Sequence, residues 1–426
     1  MTKSTKALEA TGVISILKSV LLDRAVSLAL KLLARESESD DADRAELFNA
    51  LAESAELARQ PVVGDAWRNY LLDLILADDN VFSRKAELVG VDDIGPSLLR
   101  QVRSDLSALR SLYDIDVARL LDGFSPLDGF RPLADGPIDG ALLSMKRRMD
   151  ECADWAGLVP EIAAFYGSNG VGLFGRYRAF RWKMDADGGR LRGVASPDPI
   201  RLADLVEYDW QREEVARNTC KLIASLPANN MLLYGDRGTG KSSTVKAMLN
   251  EFAGKKLRLV EVAKDDLTDL PAILSILRAR PEKFILFIDD LSFEENETQY
   301  KALKAVLEGG LEARPANVAL YATSNRRNII KERFADRVNE DGEVHPTDTM
   351  QEKLSLSDRF GLKLPFLAPD QEEFLRIVTA LADRAGIELT EDLRKKSLAW
   401  QHARSGRSAR QFVDYLIGEI GLDSAL

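Results

Sequence analysis

Cysteine and histidine are nearly missing from this chain of 426 residues, which holds two of each: Cys152, Cys220, His345 and His402. The cysteines lie far apart and neither has metal-ligand spacing, which excludes a zinc framework and a disulfide scaffold and leaves plain thiols in a reducing compartment. Two histidines exclude a histidine-rich metal centre. Uncharged apolar runs of about 18 residues or more are also missing, so no transmembrane helix is expected. Lys3 and Lys6 stand near the N-terminus, but Glu9 interrupts any leader-like apolar stretch. Positive charge is in deficit, with 58 Lys and Arg against 68 Asp and Glu, a net charge of −10 and a sequence pI near 5.1. That balance works against constitutive non-specific binding to nucleic acid and leaves only a local basic patch as a route to it. A cytoplasmic protein with no membrane contact is expected.

What is present is ordinary for a globular protein, with 45% hydrophobic and 30% charged residues. The length allows two or three domains. Residues 1–165 look mainly helical: Leu17, Leu21, Leu28 and Leu32 mark a first long helix, and Ala42–Arg59, Ala66–Leu76, Ser97–Leu121 and Met145–Tyr166 mark others. Gly123–Gly140 reads as a loop. Residues 166–200 read as a small β hairpin or linker, with a strand over Gly175–Lys183 in which basic and aromatic residues interleave. That pattern suits single-stranded nucleic acid or, more simply in so acidic a chain, a solvated hairpin strand with one apolar face. From 201 to 365 strand and helix patterns alternate, which implies βαβ units and a parallel sheet. Residues 366–426 read as a helical subdomain, with helices over Gln371–Ala385, Glu391–His402 and Ser408–Ile420.

The most informative segment is Gly235-Asp236-Arg237-Gly238-Thr239-Gly240-Lys241-Ser242, which fits G-x-x-x-x-G-K-[S/T] without a mismatch. An apolar strand, Asn230–Tyr234, precedes it, and a helical pattern, Ser243–Phe252, follows. Glycines let successive amides point inward at phosphate oxygens, and the helix adds its positive end. Lys241 is expected to reach the β- and γ-phosphates, Ser242 to ligate Mg²⁺, and Ser243 to complete the loop. A second segment, Phe284–Ile288, is a buried-strand pattern ending in Asp289-Asp290. Acids at that end of a strand lie where ligands of open α/β sheets bind. Asp289 is expected to hold Mg²⁺ and Asp290 to polarise a water, unless the pair merely caps a helix.

Three further candidates are weaker. Asn325 ends the strand Val318–Thr323 and is placed to orient the water, or to make a simple Asn turn. Arg359, in Leu354-Ser355-Leu356-Ser357-Asp358-Arg359-Phe360-Gly361, is placed to reach the γ-phosphate of a neighbouring subunit, or to form a local ion pair. Arg407 and Arg410 start a lid helix, where an anionic partner or a solvated basic face would explain them. Leu205, Tyr208 and Val215 are candidates for packing near a nucleotide base.

Taken in order, these residues resemble the AAA+ ATPases, and among them the uncharacterised bacterial ATP-binding family called domain of unknown function 815. The likeness is carried by Asn229–Ser243, Ile288–Glu294, Ala322–Arg327 and Leu354–Gly361. It spans residues from about 200 to 420. It implies an α/β P-loop NTPase core with a parallel sheet flanked by helices and a C-terminal helical lid, ATP and Mg²⁺ as cofactors, and homo-oligomers with sites between subunits. It gives Lys241 and Ser242 the phosphate-loop roles, Asp289 the Mg²⁺ role, Asn325 a sensor role, Arg359 the finger role and Arg410 the lid-sensor role. Most AAA+ enzymes carry Glu as the second acid. Asp290 is one methylene shorter, so Glu294 or Glu295 is a possible assistant and hydrolysis is expected to be slow or partner-dependent.

The expected function is a Mg-dependent ATPase that remodels a protein partner or assembly bound through residues 1–165. The alternatives are a nucleic-acid-linked ATPase resembling helicase loaders and a slow nucleotide-gated switch. The chain lacks an N-K-x-D guanine-reading motif, which argues against a GTPase. Ala263–Asp269 offers no aromatic-glycine pore loop, which argues against a threading unfoldase.

Overall fold

The computed structural model describes residues 3–34, 41–133, 139–186, 188–293, 298–308, 314–325, 356–400 and 404–425. They form two compact units, Met1–Tyr177 and Arg178–Leu426. The first unit is built from helices: α1 (Lys3–Thr11), α2 (Lys18–Leu22), α3 (Arg24–Ala34), α4 (Asp41–Glu56), α5 (Ala66–Leu76), α6 (Val81–Leu88), α7 (Pro96–Tyr113), α8 (Val117–Leu120), α9 (Gly140–Glu151), α10 (Val159–Asn169) and α11 (Gly172–Arg176). It has its own core, in which Trp67, Leu71, Leu109, Tyr113, Trp155 and Tyr166 are buried together.

Helix ends in this unit are set by caps that the apolar spacing does not reveal. The stripe from Leu17 to Leu32 is two helices, because the Asp23 carboxylate accepts the amides of Ala25 (3.0 Å) and Val26 (3.2 Å) and starts α3. Asp105 on α7, fully buried, accepts the amides of Ile16 (2.7 Å) and Leu17 (3.0 Å) just ahead of α2. Met145–Tyr166 is likewise split into α9 and α10, with Pro160 in the first turn of α10, where its missing N–H costs nothing.

The second unit holds one seven-stranded sheet: β1 (Ala179–Asp185), β2 (Gly188–Val194), β3 (Met231–Gly235), β4 (Leu257–Glu261), β5 (Lys283–Ile288), β6 (Val318–Ser324) and β7 (Leu362–Phe366). Their order is β2-β1-β4-β5-β6-β3-β7. Only β1 and β2 are antiparallel; every other neighbouring pair is parallel. Helices α12 (Asp209–Ile223), α13 (Lys241–Glu251), α14 (Leu270–Arg278) and α15 (Thr298–Glu308) lie between strands in sequence. The central strands read as continuous apolar runs because both faces are covered: all of β6 is buried, as is Phe284–Ile288 of β5. The lid follows as α16 (Gln371–Arg384), α17 (Glu391–Ala399) and α18 (Gly406–Ala425), with Phe374, Val378 and Leu381 packed against Phe412 and Val413. This is an α/β core, a mainly parallel sheet flanked by helices, with a C-terminal helical lid.

Two local expectations are corrected. The strand expected from Gly175 starts at Ala179, because Gly172–Arg176 form α11, with the Gly175 amide bonded to Val171 O (3.1 Å). The hairpin is also an edge of the main sheet, with β1 pairing to β4 over Ala179–Arg181. Phe180 and Trp182 are buried on that strand, and the Trp182 indole donates to Asp269 (2.9 Å). Arg181 pairs with Glu261, and Arg190 and Arg192 pair with Asp185. Phe180, Arg181 and Trp182 of the interleaved stretch are therefore engaged by the fold.

Candidate functional site

The phosphate-loop motif spans the turn from β3 into α13. Gly235 has φ +133°, Gly238 φ +75° and Gly240 φ +91°, conformations that side chains rarely adopt. Packing adds a second reason for glycine: a Cβ at Gly235 would stand 2.1 Å from Phe366 O, and one at Gly238 would stand 2.9 Å from Ser405 Oγ. The loop is pinned to β7 and the segment after it. The Asp236 amide donates to Phe366 O (2.9 Å), and the Asp236 carboxylate accepts the Ala368 amide (2.7 Å). Lys241, buried in the first turn of α13, donates to Gly235 O (2.9 Å) and Asp236 O (2.5 Å). Burial pushes the Lys241 ammonium below its ordinary pKa, while Asp236, Asp290 and Asp289 pull it back up.

Strand β6 lies between β3 and β5, so the loop and the acid-ended strand face each other across a single strand. Ser242 Oγ donates to Asp289 Oδ1 (2.5 Å). Thr323 of β6 donates to the same oxygen (2.5 Å) and accepts the Asp290 amide (2.9 Å). Asp290 adopts a left-handed backbone, φ +50°. The Asn325 side-chain amide donates to Asp290 Oδ1 (2.5 Å). Ser242, Asp289, Asp290 and Asn325, picked from separate stretches of sequence, thus come together.

The lid closes the other side. The Arg407 amide donates to Gly238 O (3.2 Å), so the start of α18 rests on the phosphate loop. Arg407 and Arg410 both line the cavity. The apolar end of the cavity is formed by Ile200, Leu205, Val206 and Tyr208 with Ile377 and Leu381 of α16. Lid arginines hold that segment: Arg376 pairs with Glu207 (2.7 Å), and Arg384 donates to Asp204 O and Ala203 O (2.6 Å each). Glu207 and Tyr208 are both left-handed, φ +64° and +61°. The Tyr208 hydroxyl donates to Leu367 O (2.6 Å), its ring lies against Phe366, and burial raises its pKa.

Most expected residues line one cavity of about 640 Å³: Arg237 to Ser243, Asp289, Asp290, Asn325, Arg407 and Arg410. Gly235 and Asp236 form the root of the loop instead. Arg359 lies outside the cavity and pairs with Glu308 of α15 (2.5 Å). Val215 is in the sheet core rather than the cavity. Glu294, Glu295, Arg326, Arg327, Leu354 and Ser355 lie outside the described residues. Thr323, Val206, Ile377 and Leu381 were not foreseen. Ile377 and Leu381 have the spacing of an apolar helix face, which does not distinguish lid core from cavity wall.

A curled loop between β3 and α13, with a helical subdomain resting on it, defines the class as P-loop α/β proteins with a lid. Within that class the chain belongs to the family Protein of unknown function (DUF815), whose model matches residues 175–420. Among solved structures, a mutant of Thermotoga maritima RuvB is 17% identical with a TM-score of 0.37, over 53% of this chain and 67% of that one. A second mutant is 16% identical with a TM-score of 0.38, over 53% and 68%. The Thermotoga maritima RuvB Holliday junction branch migration motor is 16% identical with a TM-score of 0.34, over 51% and 63%. Likeness at this level carries no information about chemistry. No curated protein matches the chain.

Proposed function

We propose that this protein is a Mg²⁺-dependent ATPase that couples ATP binding and hydrolysis to remodelling of a protein partner or assembly. The observation that carries the reading is the convergence on one cavity of the glycine loop, Lys241, the Ser242–Asp289 pair, the Asp290–Asn325 pair and the lid arginines. The donor set fits the cofactor. Among the described residues no cluster of three or more His, Cys, Asp or Glu could hold a metal alone. One hydroxyl and one carboxylate suit Mg²⁺, which takes one or two carboxylates and completes its shell with phosphates and water. Bound Mg·ATP would supply the phosphoanhydride and the cation that offsets its charge.

The chain's own groups then divide the work. Loop amides and Lys241 bind phosphate oxygens, and Ser242 with Asp289 holds the cation. Asn325 fixes Asp290 Oδ1, leaving the other carboxylate oxygen to accept a proton from water. Ile377, Leu381 and the 200–208 segment enclose the base and exclude solvent. Arg359 is proposed to act on the site of a neighbouring copy in a homo-oligomer, and the helical first unit to bind the protein partner.

A slow nucleotide-gated switch is the second reading, favoured by the short Asp290 side chain and its engagement by Asn325. A nucleic-acid-linked role draws no support from the hairpin, whose aromatics are buried and whose arginines 181, 190 and 192 are paired.

The test is equilibrium binding of a fluorescent ATP analogue, with phosphate release measured beside it, for wild type and Lys241→Ala. Loss of charge-assisted bonds to phosphate is expected to weaken binding roughly tenfold to a hundredfold and to abolish turnover. Equal binding by both proteins would sink the assignment. Tight binding without turnover in wild type would select the switch.

A further inference from the structure

We infer that Thr323 is a positioning residue that fixes both acids of the site and thereby sets its requirement for Mg²⁺. The inference rests on the ATPase reading above. Thr323 is 1% exposed, on a central strand whose other inward residues are apolar or small. A buried position on a parallel strand ordinarily takes Val or Ile. Threonine has the shape of valine but brings a hydroxyl that must be satisfied. Here it is satisfied twice, and both partners belong to the acid pair.

The hydroxyl proton goes to Asp289 Oδ1, and the hydroxyl oxygen accepts the Asp290 amide. The Thr323 carbonyl accepts the Leu291 amide (2.7 Å), so one residue ties three successive positions after β5. Asp289 Oδ1 receives three donors: Ser242 Oγ, Thr323 Oγ1 and, at 3.2 Å, the Asp290 amide. Oδ2 accepts no bond among the described residues and is the oxygen left for a cation. With Oδ1 anchored, the carboxylate cannot rotate about its own axis. The bond to the Asp290 amide likewise stabilises the left-handed turn that aims Asp290 toward Asn325. Without the hydroxyl, Asp289 Oδ1 keeps only Ser242 and the longer Asp290 contact, and the Asp290 amide loses its shorter acceptor, so both carboxylates are held less firmly, while the phosphate loop and the apolar end of the cavity are untouched.

The experiment compares wild type, Thr323→Val, Thr323→Ala and Thr323→Ser. Binding of a fluorescent ATP analogue is measured in EDTA and through a MgCl₂ titration, with turnover alongside. Outer-shell partners of metal ligands are commonly worth about 10- to 100-fold in metal affinity or activity. Thr323→Val is therefore expected to keep wild-type affinity in EDTA, to raise half-saturating Mg²⁺ roughly tenfold or more, and to lower kcat by a similar factor. Thr323→Ser, which keeps the hydroxyl, is expected to stay within about threefold of wild type. Thr323→Ala, smaller and unable to clash, reads the same loss should the valine variant not fold. A Mg²⁺ requirement that stays at the wild-type value in the hydroxyl-free variants, whatever their thermal stability, overturns the assignment of Thr323 alone. Absence of analogue binding by wild type with Mg²⁺ overturns the ATPase reading and this inference with it.

Discussion

Gly235 shows how far a single position can be constrained. Its backbone is left-handed, and the carbonyl of Phe366 occupies the place of a side chain. Relief would require β7 to move, together with the bonds that hold Asp236. Gly235→Ala is expected to destabilise the protein by about 2 kcal/mol or more in denaturant unfolding. Gly254, with nothing near its would-be Cβ, should tolerate alanine within about 0.5 kcal/mol. Equal stability of the two variants would show that the loop's conformation is not held by this contact. Residues of this kind were legible in the sequence because the phosphate motif is local: eight consecutive letters specify their own turn. Asp289 was legible because it ends an unbroken apolar run. Thr323 was not, since its role depends on β6 lying between β3 and β5, a sheet order that spacing does not encode.

At the scale of elements, legibility followed burial. Strands β3, β5 and β6 announce themselves as apolar runs because both faces are covered. Strand β7 hides, since Lys363 and Pro365 break its pattern. It is an edge strand, where a proline's missing N–H need not have a partner. The helix breaks at Asp23 and Pro160 were hidden for the opposite reason, with apolar spacing continuing through them while a carboxylate cap marks one helix start and a first-turn proline the other. The lid helix α16 does more than pack. Through Arg384 it holds the carbonyls of residues 203 and 204, and so the segment that walls the apolar end of the cavity. Both bonds are solvent-facing, which limits their worth. Arg384→Ala is expected to raise the KM for ATP roughly threefold to tenfold with kcat changed less than about twofold. A fall in kcat at constant KM would assign Arg384 to the chemistry instead of to base binding.

At the scale of the molecule, Arg359 carries the prediction. Within one chain it pairs with Glu308 and lies outside that chain's own cavity, its expected target being the site of a neighbouring subunit. An arginine finger acting between copies makes turnover depend on assembly and can be worth on the order of 10³–10⁵ in rate. Specific ATPase activity is expected to climb with protein concentration, and Arg359→Ala to keep nucleotide affinity while losing turnover. Mixing Arg359→Ala with Lys241→Ala should restore part of the activity, because each variant supplies what the other lacks. Concentration-independent activity, or no recovery on mixing, would place Arg359 in a purely structural pair. The grip of Asp236 on Ala368 joins residues 132 positions apart, and the rest of the clasp waits for Arg407. During synthesis the glycine loop therefore leaves the ribosome long before Ala368 and Arg407, and the contacts that clasp it form only once the start of the last lid helix has been made.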